Sequence, residues 1–382
     1  MDPLVAPLFQ PIRINSVTLA NRIVMAPMTR MFSPDGVPGA DVAAYYRRRA
    51  EANVGLIVTE GIGIEHRAAL DRPGIPVMYG DAALAGWKHV VDEVHAAGGK
   101  IFPQLWHQGV LRIERVSKYP DHPNSRPSGL FGTVGKTTID AEFIKRSLPP
   151  TEPMTEEEVD DIVREFAKAA KRALAVGFDG IALHGGHGYL IDNFLWRETN
   201  KRTDRYGGDH AGRTRFAVEI VKAIRRETGP DTTIMFRFSQ HKQQDYESNL
   251  ARTPKELEEI LTPISEAGVD LFDASQRRFE KPTFEGSTLN LGGWARKLTG
   301  KPSMTIGGIG LVVSSPEYMS NRVISAISTS NNLPQLMERF NHGEFDLVGA
   351  GRSLLSDPQW ATHIRNGQAI LPFDRSCLER LT

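Results

Sequence analysis

The chain has 382 residues, enough for two ordinary domains or one large barrel with insertions, and in either case enough to bury a substantial core. Lys plus Arg and Asp plus Glu are both 46, so the formal net charge is zero; no basic tail or dense lysine run is present to track a phosphate backbone, and nucleic acid is not an expected partner. No apolar run approaches a membrane span, no charged leader with a long apolar core precedes the first elements, and the single cysteine, Cys377, excludes an internal disulfide or a cysteine-ligated zinc or iron-sulfur site.

A cytoplasmic protein with no membrane partner is therefore expected, with Cys377 structurally incidental. In chain order, residues 21–29 read as a buried strand ending in a proline turn, 41–52 as a helix and 54–61 as a second apolar strand. Asp81 is a candidate cap for an amphipathic helix over 82–97, which stops at Gly98 and Gly99 before a third strand at 100–107. Thr155 and Glu158 form a capping box for a helix running to Ala175, Gly177 ends it, and 178–183 is the fourth strand. A helix over 214–227, a strand at 233–239, a helix opening at Thr253 or Pro254 and a strand at 269–274 follow. Helices over 289–298 and 333–340 precede two further strands, within 302–310 and 343–352.

Eight apolar strands alternating with about seven helices close into a (β/α)8 TIM barrel or open into a doubly wound sheet. The count favours the barrel. A dinucleotide-binding sheet also requires Gly-x-Gly-x-x-Gly after its first strand, where this chain has Ala26-Pro-Met-Thr-Arg. Residues 1–382 are accordingly read as a single domain. Its long loops, 108–154, 240–252 and 311–332, and a shorter aromatic and basic loop at 276–288, all follow strand C-termini, the face where barrel enzymes build their sites.

The fourth strand runs into Leu-His-Gly-Gly-His-Gly-Tyr at 183–189. Glycines at 185, 186 and 188 allow a sharp turn that brings His184, His187 and Tyr189 together above the strand end. Two imidazoles suit an anionic ring or a metal, and a phenol suits proton donation; the alternative is a glycine turn with solvated side chains. Glycine turns also follow the seventh and eighth strands, at 307–310 and 349–352, where barrels commonly bind phosphate, and Arg352 is placed to clamp phosphate oxygens. A phosphate-bearing cofactor lying across the barrel mouth would meet Thr29, Glu60, Gln104, His184, His187 and Arg237 at the other strand ends. Arg237, in Ile-Met-Phe-Arg-Phe, requires an anionic partner. A reduced flavin supplies one at its pyrimidine edge; an ion pair with Asp273 is the alternative.

The chain resembles the Old Yellow Enzyme family of flavin mononucleotide (FMN) dependent ene-reductases along nearly its whole length. The matching pieces are Asn-Arg-Ile-Val-Met-Ala-Pro-Met-Thr-Arg at 21, Pro-Gln-Leu-Trp-His-Gln-Gly at 103 and His-Gly-Gly-His-Gly-Tyr-Leu-Ile-Asp-Asn-Phe-Leu at 184. Asn-Lys-Arg-Thr-Asp-Arg-Tyr-Gly-Gly at 200, Arg-Thr-Arg-Phe at 213 and Gly-Arg-Ser-Leu-Leu-Ser-Asp-Pro at 351 complete the set.

The resemblance implies a ping-pong oxidoreductase in which NADPH or NADH reduces FMN and then an α,β-unsaturated carbonyl or nitro compound is reduced at its activated C=C bond. By the same carry-over, His184 and His187 would bind the substrate oxygen, Tyr189 would protonate Cα and Trp106 would shape the substrate pocket. Pro27, Met28 and Thr29 would contact the flavin, with Thr29 tuning its potential. Gln104 and Arg237 would hold the pyrimidine edge, and Gly308, Ile309, Gly351 and Arg352 the phosphate. The chain departs from the family's common pattern at Val110, at 240–246 and over 311–332, which bears on substrate preference and lid geometry.

Two competing readings are a metal-dependent barrel hydrolase with His184, His187 and Asp192 as ligands, and a non-catalytic barrel that binds a phosphorylated ligand. Against the first, metal sites gather ligands from several strands, and no metal is expected here. The expected partner is a small-molecule substrate, and the expected assembly a monomer or homodimer.

Overall fold

A computed structural model of the chain describes residues 1–311 and 331–382. Most of the expected loop at 311–332 lies outside the described residues. A short antiparallel hairpin, β1 (Ile12–Ile14) and β2 (Val17–Leu19), precedes eight parallel strands: β3 (Ile23–Met25), β4 (Leu56–Gly63), β5 (Ile101–Trp106), β6 (Gly180–His184), β7 (Thr233–Ser239), β8 (Leu271–Ser275), β9 (Ser303–Ile306) and β10 (Leu347–Ala350). They close in the order β10-β3-β4-β5-β6-β7-β8-β9, with β10 pairing in parallel with β3, so the fold is the expected (β/α)8 barrel.

The helices are α1 (Ala40–Glu51), α2 (Asp81–Ala96), α3 (Ala141–Ser147), α4 (Glu156–Val176), α5 (Leu190–Leu195), α6 (His210–Thr228), α7 (Pro254–Glu266), α8 (Leu291–Thr299), α9 (Leu333–Asn341), α10 (Arg352–Ser356) and α11 (Trp360–Arg365). Their apolar faces and the outward side chains of the strands form one continuous layer of buried residues that includes Trp87, Phe166, Phe216, Leu261 and Trp360. A second, separate cluster fills the barrel: Val24, Val58, Phe102, Met235, Leu271 and Met304 pack with Ile14, Val17 and Leu19 of the hairpin. The hairpin thus plugs the N-terminal end of the barrel. The sequence reading missed it because two strands of three residues carry almost no periodicity.

Local start signals account for most helix boundaries. The Thr155 hydroxyl accepts from Glu158 N–H, as expected, but the Glu158 carboxylate accepts from the Ser125 hydroxyl instead of closing the reciprocal half of the box. Thr253 caps α7. Asp81 is not a cap: Gly80 occupies that position and Asp81 is the first helical residue, where its charge favours the helix dipole. The helix expected to start at Thr214 starts at His210, because the Asp209 carboxylate accepts from Gly212 N–H and caps it one turn earlier. The loop at 108–154 contains α3, capped by Asp140.

Candidate active site

Parallel register sets the first tier of the site. His184, Arg237 and Asp273 are paired neighbours across β6, β7 and β8, so three polar side chains stand side by side at the C-terminal mouth of the barrel. All three are buried. Next in the chain, His187 has φ 63°, a left-handed conformation that costs a residue with a Cβ and persists only where its surroundings hold it. Here Ser239 Oγ accepts from His187 N–H (2.8 Å), and His187 pairs in register with Lys242. Gly188, at φ 82°, is required: a Cβ there would lie 2.1 Å from Gln244 Oε1.

This folded turn brings together the expected triad. The rings of His184 and His187 are 5.1 Å apart, and those of His184 and Tyr189 are 4.8 Å apart. The Trp106 ring meets Tyr189 edge-on at 4.8 Å and lies nearly parallel to His184. Gly61 makes room for that indole, since a Cβ at 61 would lie 2.3 Å from it. Burial, reinforced by the Arg237 charge, holds both imidazoles well below the usual histidine pKa, so they are neutral at pH 7. Gly186 N–H faces His184 Nδ1 at 3.5 Å, a long contact that favours the tautomer with the ring proton on Nε2. The Tyr189 phenol is pushed up by burial, so it stays protonated, and it is only half-buried, facing a cavity of about 330 Å³. Thr29, Trp106, Phe143 and Gln243 also line that cavity.

The metal-ligand alternative loses its third member. Asp192 is fully buried with one oxygen on Lys242 Nζ (2.8 Å) and the other accepting from Gly188 N–H (2.7 Å), so it is spoken for within the turn. Among the described residues, no group of three or more histidine, cysteine, aspartate or glutamate side chains is arranged to hold a metal ion.

On the other side of the mouth, Gly308, Ile309, Gly351 and Arg352 come together around a second cavity of about 330 Å³, between the ends of β9 and β10. Burial, with the neighbouring charge of Arg277 as the lesser cause, pulls the Arg352 guanidinium down to about 10. Arg277 lines the same cavity and lies 4.1 Å from the Tyr246 ring centroid. It was not singled out from the sequence, although it lies in the basic loop at 276–288. The adjacent pair Arg277 and Arg278, directly after β8, was the signal available.

Met28 completes the ring of contacts. Its sulfur lies 3.3 Å from where a Cβ on Gly351 would be, which joins the β3 loop to the β10 turn. Pro27 and Met28 are half-buried and Thr29 is exposed at the mouth. Glu60 does not project freely toward this space: its Oε2 accepts from Arg30 N–H (2.8 Å) and Met31 N–H (3.0 Å), so it fixes the path of the segment that carries Thr29. Burial raises its carboxyl to about 7, against the lowering effect of those two amides.

On β5 and β7, either side of the strand that carries His184, lie buried polar atoms without protein partners among the described residues. Gln104 Nε2 and Arg237 Nε and Nη1 have no hydrogen-bond acceptor among the described residues. Arg237 does face Asp273, as the alternative reading required, at 3.3 Å between Nη1 and Oδ2. The contact lacks hydrogen-bond geometry, and both Asp273 oxygens also remain without a donor. Unsatisfied donors cost about 1–3 kcal/mol each, so a row of them at a barrel mouth marks a surface that a ligand completes. A larger cavity of about 520 Å³, beside the start of α2, shares Asp71, Arg72 and Ile75 with the substrate-side cavity but no residue of the histidine turn.

Comparison with known proteins decides the family. Residues 7–370 match the model of the NADH:flavin oxidoreductase / NADH oxidase family. The chain belongs to that family, the Old Yellow Enzymes. It is 32% identical over 387 residues to a flavin oxidoreductase of Emericella nidulans, covering 98% of this chain and 94% of that protein. It is 31% identical over 372 residues to an NADH oxidase of Thermoanaerobacter brockii, covering 94% of this chain but 51% of that protein, so the chain spans about half the length of that relative. Among solved structures, morphinone reductase in complex with tetrahydroNAD superposes with a TM-score of 0.76 at 28% identity, covering 97% of this chain and 93% of that one. Membership of this family makes the chain an oxidoreductase by class. No helix among its described residues is long and apolar enough to cross a membrane.

Proposed function

We propose that this protein is an FMN-dependent ene-reductase, driven by NADH or NADPH, that reduces the activated C=C bond of α,β-unsaturated carbonyl or nitro compounds. The single observation that carries the reading is the row of unpartnered buried donors, Gln104 Nε2 and Arg237 Nε and Nη1. These donors stand on β5 and β7, the two strands that flank the strand carrying His184. The donor set fits FMN: Gln104 and Arg237 would hold the polar edge of the isoalloxazine, Pro27, Met28 and Thr29 would border it, and Gly308, Ile309, Gly351 and Arg352 would hold the phosphate. Arg277 would add a second guanidinium to that phosphate site. When bound, FMN supplies hydride acceptance from the nicotinamide and hydride donation to the substrate. The structure of a relative with a nicotinamide analogue supports the donor class.

The chain's own residues supply the polarisation and the proton. His184 donates through Nε2 to the substrate's carbonyl or nitro oxygen, and His187 provides the second imidazole at that oxygen. A neutral imidazole has one N–H, so His184 donates through Nε2, and His187, whose Nε2 lies 2.9 Å from Ser275 Oγ, donates through Nδ1 with the serine hydroxyl donating to Nε2; both stabilise developing negative charge without surrendering a proton. Tyr189, protonated and facing the substrate cavity, delivers the proton to Cα. Trp106 and Phe143 form the apolar walls that hold the alkene and exclude water.

The test is direct. The purified protein should be yellow with flavin bound, and under anaerobic conditions NADH or NADPH should bleach the flavin band and 2-cyclohexen-1-one should restore it. A colourless protein with stoichiometric zinc or iron, or a flavoprotein whose band is not restored by enones or nitroalkenes, contradicts the proposal.

A further inference from the structure

We infer that Gln243 is a positioning residue for the proton donor: its side-chain amide donates to the Tyr189 oxygen, aims the phenolic O–H into the substrate cavity and stabilises the phenolate left after proton transfer. The inference rests on the reading of Tyr189 as the acid and goes beyond it by assigning a function to the 240–246 loop, where the sequence departs from its family's pattern.

The geometry is specific. Gln243 Nε2 lies 2.5 Å from Tyr189 Oη, and both side chains line the cavity walled by Trp106 and Phe143. An N–H donor on the phenol oxygen occupies a lone pair, so the phenol's own hydrogen must point elsewhere. With Trp106 edge-on to its ring and His184 beside it, the open direction is the cavity.

Gln243 is itself immobilised from both sides. Its backbone N–H donates to His187 O (3.1 Å), and its backbone carbonyl accepts from Thr137 Oγ1 (2.5 Å). The preceding residue, Lys242, pairs in register with His187 and is anchored on Asp192, whose other oxygen holds Gly188. The same turn that presents Tyr189 therefore also fixes the residue that orients it, and the 132–139 segment closes the arrangement through Thr137.

The chemistry balances without another reagent. Where bound reduced FMN would supply hydride to Cβ, the Tyr189 O–H bond breaks and a Cα–H bond forms. The phenolate then takes a proton from water. Burial makes that phenolate costly, while the Gln243 hydrogen bond and the Arg237 charge oppose the cost. Of these two, only the hydrogen bond also sets direction.

The experiment uses the FMN-loaded full chain, reduced anaerobically and mixed with 2-cyclohexen-1-one, comparing wild type with Gln243→Met, Gln243→Glu and Tyr189→Phe. Gln243→Met is expected to slow flavin reoxidation about 10- to 100-fold, the range for a hydrogen bond to a charged group, and to increase the solvent deuterium isotope effect. Reduction by NADH or NADPH and the melting temperature should not change. Gln243→Glu should be slow at high pH, where a carboxylate accepts the tyrosine proton, and should recover as pH falls and the carboxyl becomes a donor. Equal loss in both half-reactions, unchanged or faster reoxidation in Gln243→Met, or a Gln243→Glu rate indifferent to pH overturns the inference. If Tyr189→Phe itself reoxidises at the wild-type rate, the failure lies with the proton-donor reading; if Tyr189→Phe is slow and Gln243→Met is not, it lies with Gln243 alone.

Discussion

Two buried pairs of opposite charge lie near each other on the mouth of this barrel, and they are built differently. Lys242 and Asp192 are fully buried, meet at 2.8 Å, and spend their remaining capacity on Ser239 O (3.3 Å) and Gly188 N–H (2.7 Å). Arg237 and Asp273 are also buried but meet at 3.3 Å without hydrogen-bond geometry, leaving two guanidinium nitrogens and both carboxylate oxygens unpartnered among the described residues. Burial works against the charged form of both members of each pair. Only the first pair answers that cost with good contacts. The closed pair belongs to the scaffold that holds the histidine turn, and the open pair belongs to the surface proposed to hold the flavin edge.

Breaking each pair should therefore have a different consequence. The largest expected effect is on the closed pair: Lys242→Met strands the Asp192 carboxylate and should cost about 3–5 kcal/mol in urea denaturation. A loss below about 1 kcal/mol would mean that the two pairs do not differ in kind.

The open pair should show its incompleteness as a pH dependence. Asp273 is raised to about 6 by burial, above its unfolded value, so the folded apoprotein keeps a proton that the unfolded chain gives up. The Asp273 contribution to apoprotein stability, read as the difference between wild type and Asp273→Asn, should then fall as pH rises from about 4 to 6, by up to about 3 kcal/mol, and level off above, while Glu60, raised to about 7, adds a slope of the same sign that continues to higher pH in both proteins. A difference that stays constant across this window would show that Arg237 already satisfies the carboxylate.

The smallest of the three effects is on binding. Arg237→Met should raise the FMN dissociation constant about 10- to 100-fold, the range for losing hydrogen bonds from a charged donor, with less loss of apoprotein stability than Lys242→Met. Titration of the apoprotein with FMN reads the first quantity, and unchanged affinity would remove Arg237 from the flavin edge.

Much of this was legible in the sequence because it is locally encoded. Helix caps at Thr155 and Thr253 and repeated helix-glycine-strand junctions give the strand count, and the count gives the barrel. The His184–Tyr189 turn could be read from its glycines, and the cavity at 307–310 and 349–352 from its position after the last two strands. What escaped depends on contacts distant in sequence. Lys242 looks like an exposed basic loop residue until Asp192, fifty positions away, is placed beside it. Gln243 has no local signature, and its role depends on the approach of Tyr189. Glu60 reads as a polar strand end aimed at a ligand, but the chain returns to place the Arg30 and Met31 amides on its carboxylate. Asp81 had the residue type of a cap but not the position, since Gly80 already turned the chain.

The central claim is that the two imidazoles hold the substrate oxygen while Tyr189 supplies the proton. Its most direct test is single-turnover reoxidation of the pre-reduced Tyr189→Phe enzyme by 2-cyclohexen-1-one, beside its reduction by NADH or NADPH. Loss of a general acid predicts reoxidation slower by about 10²- to 10⁴-fold with flavin reduction unchanged. Wild-type reoxidation, or equal slowing of both half-reactions, would contradict it.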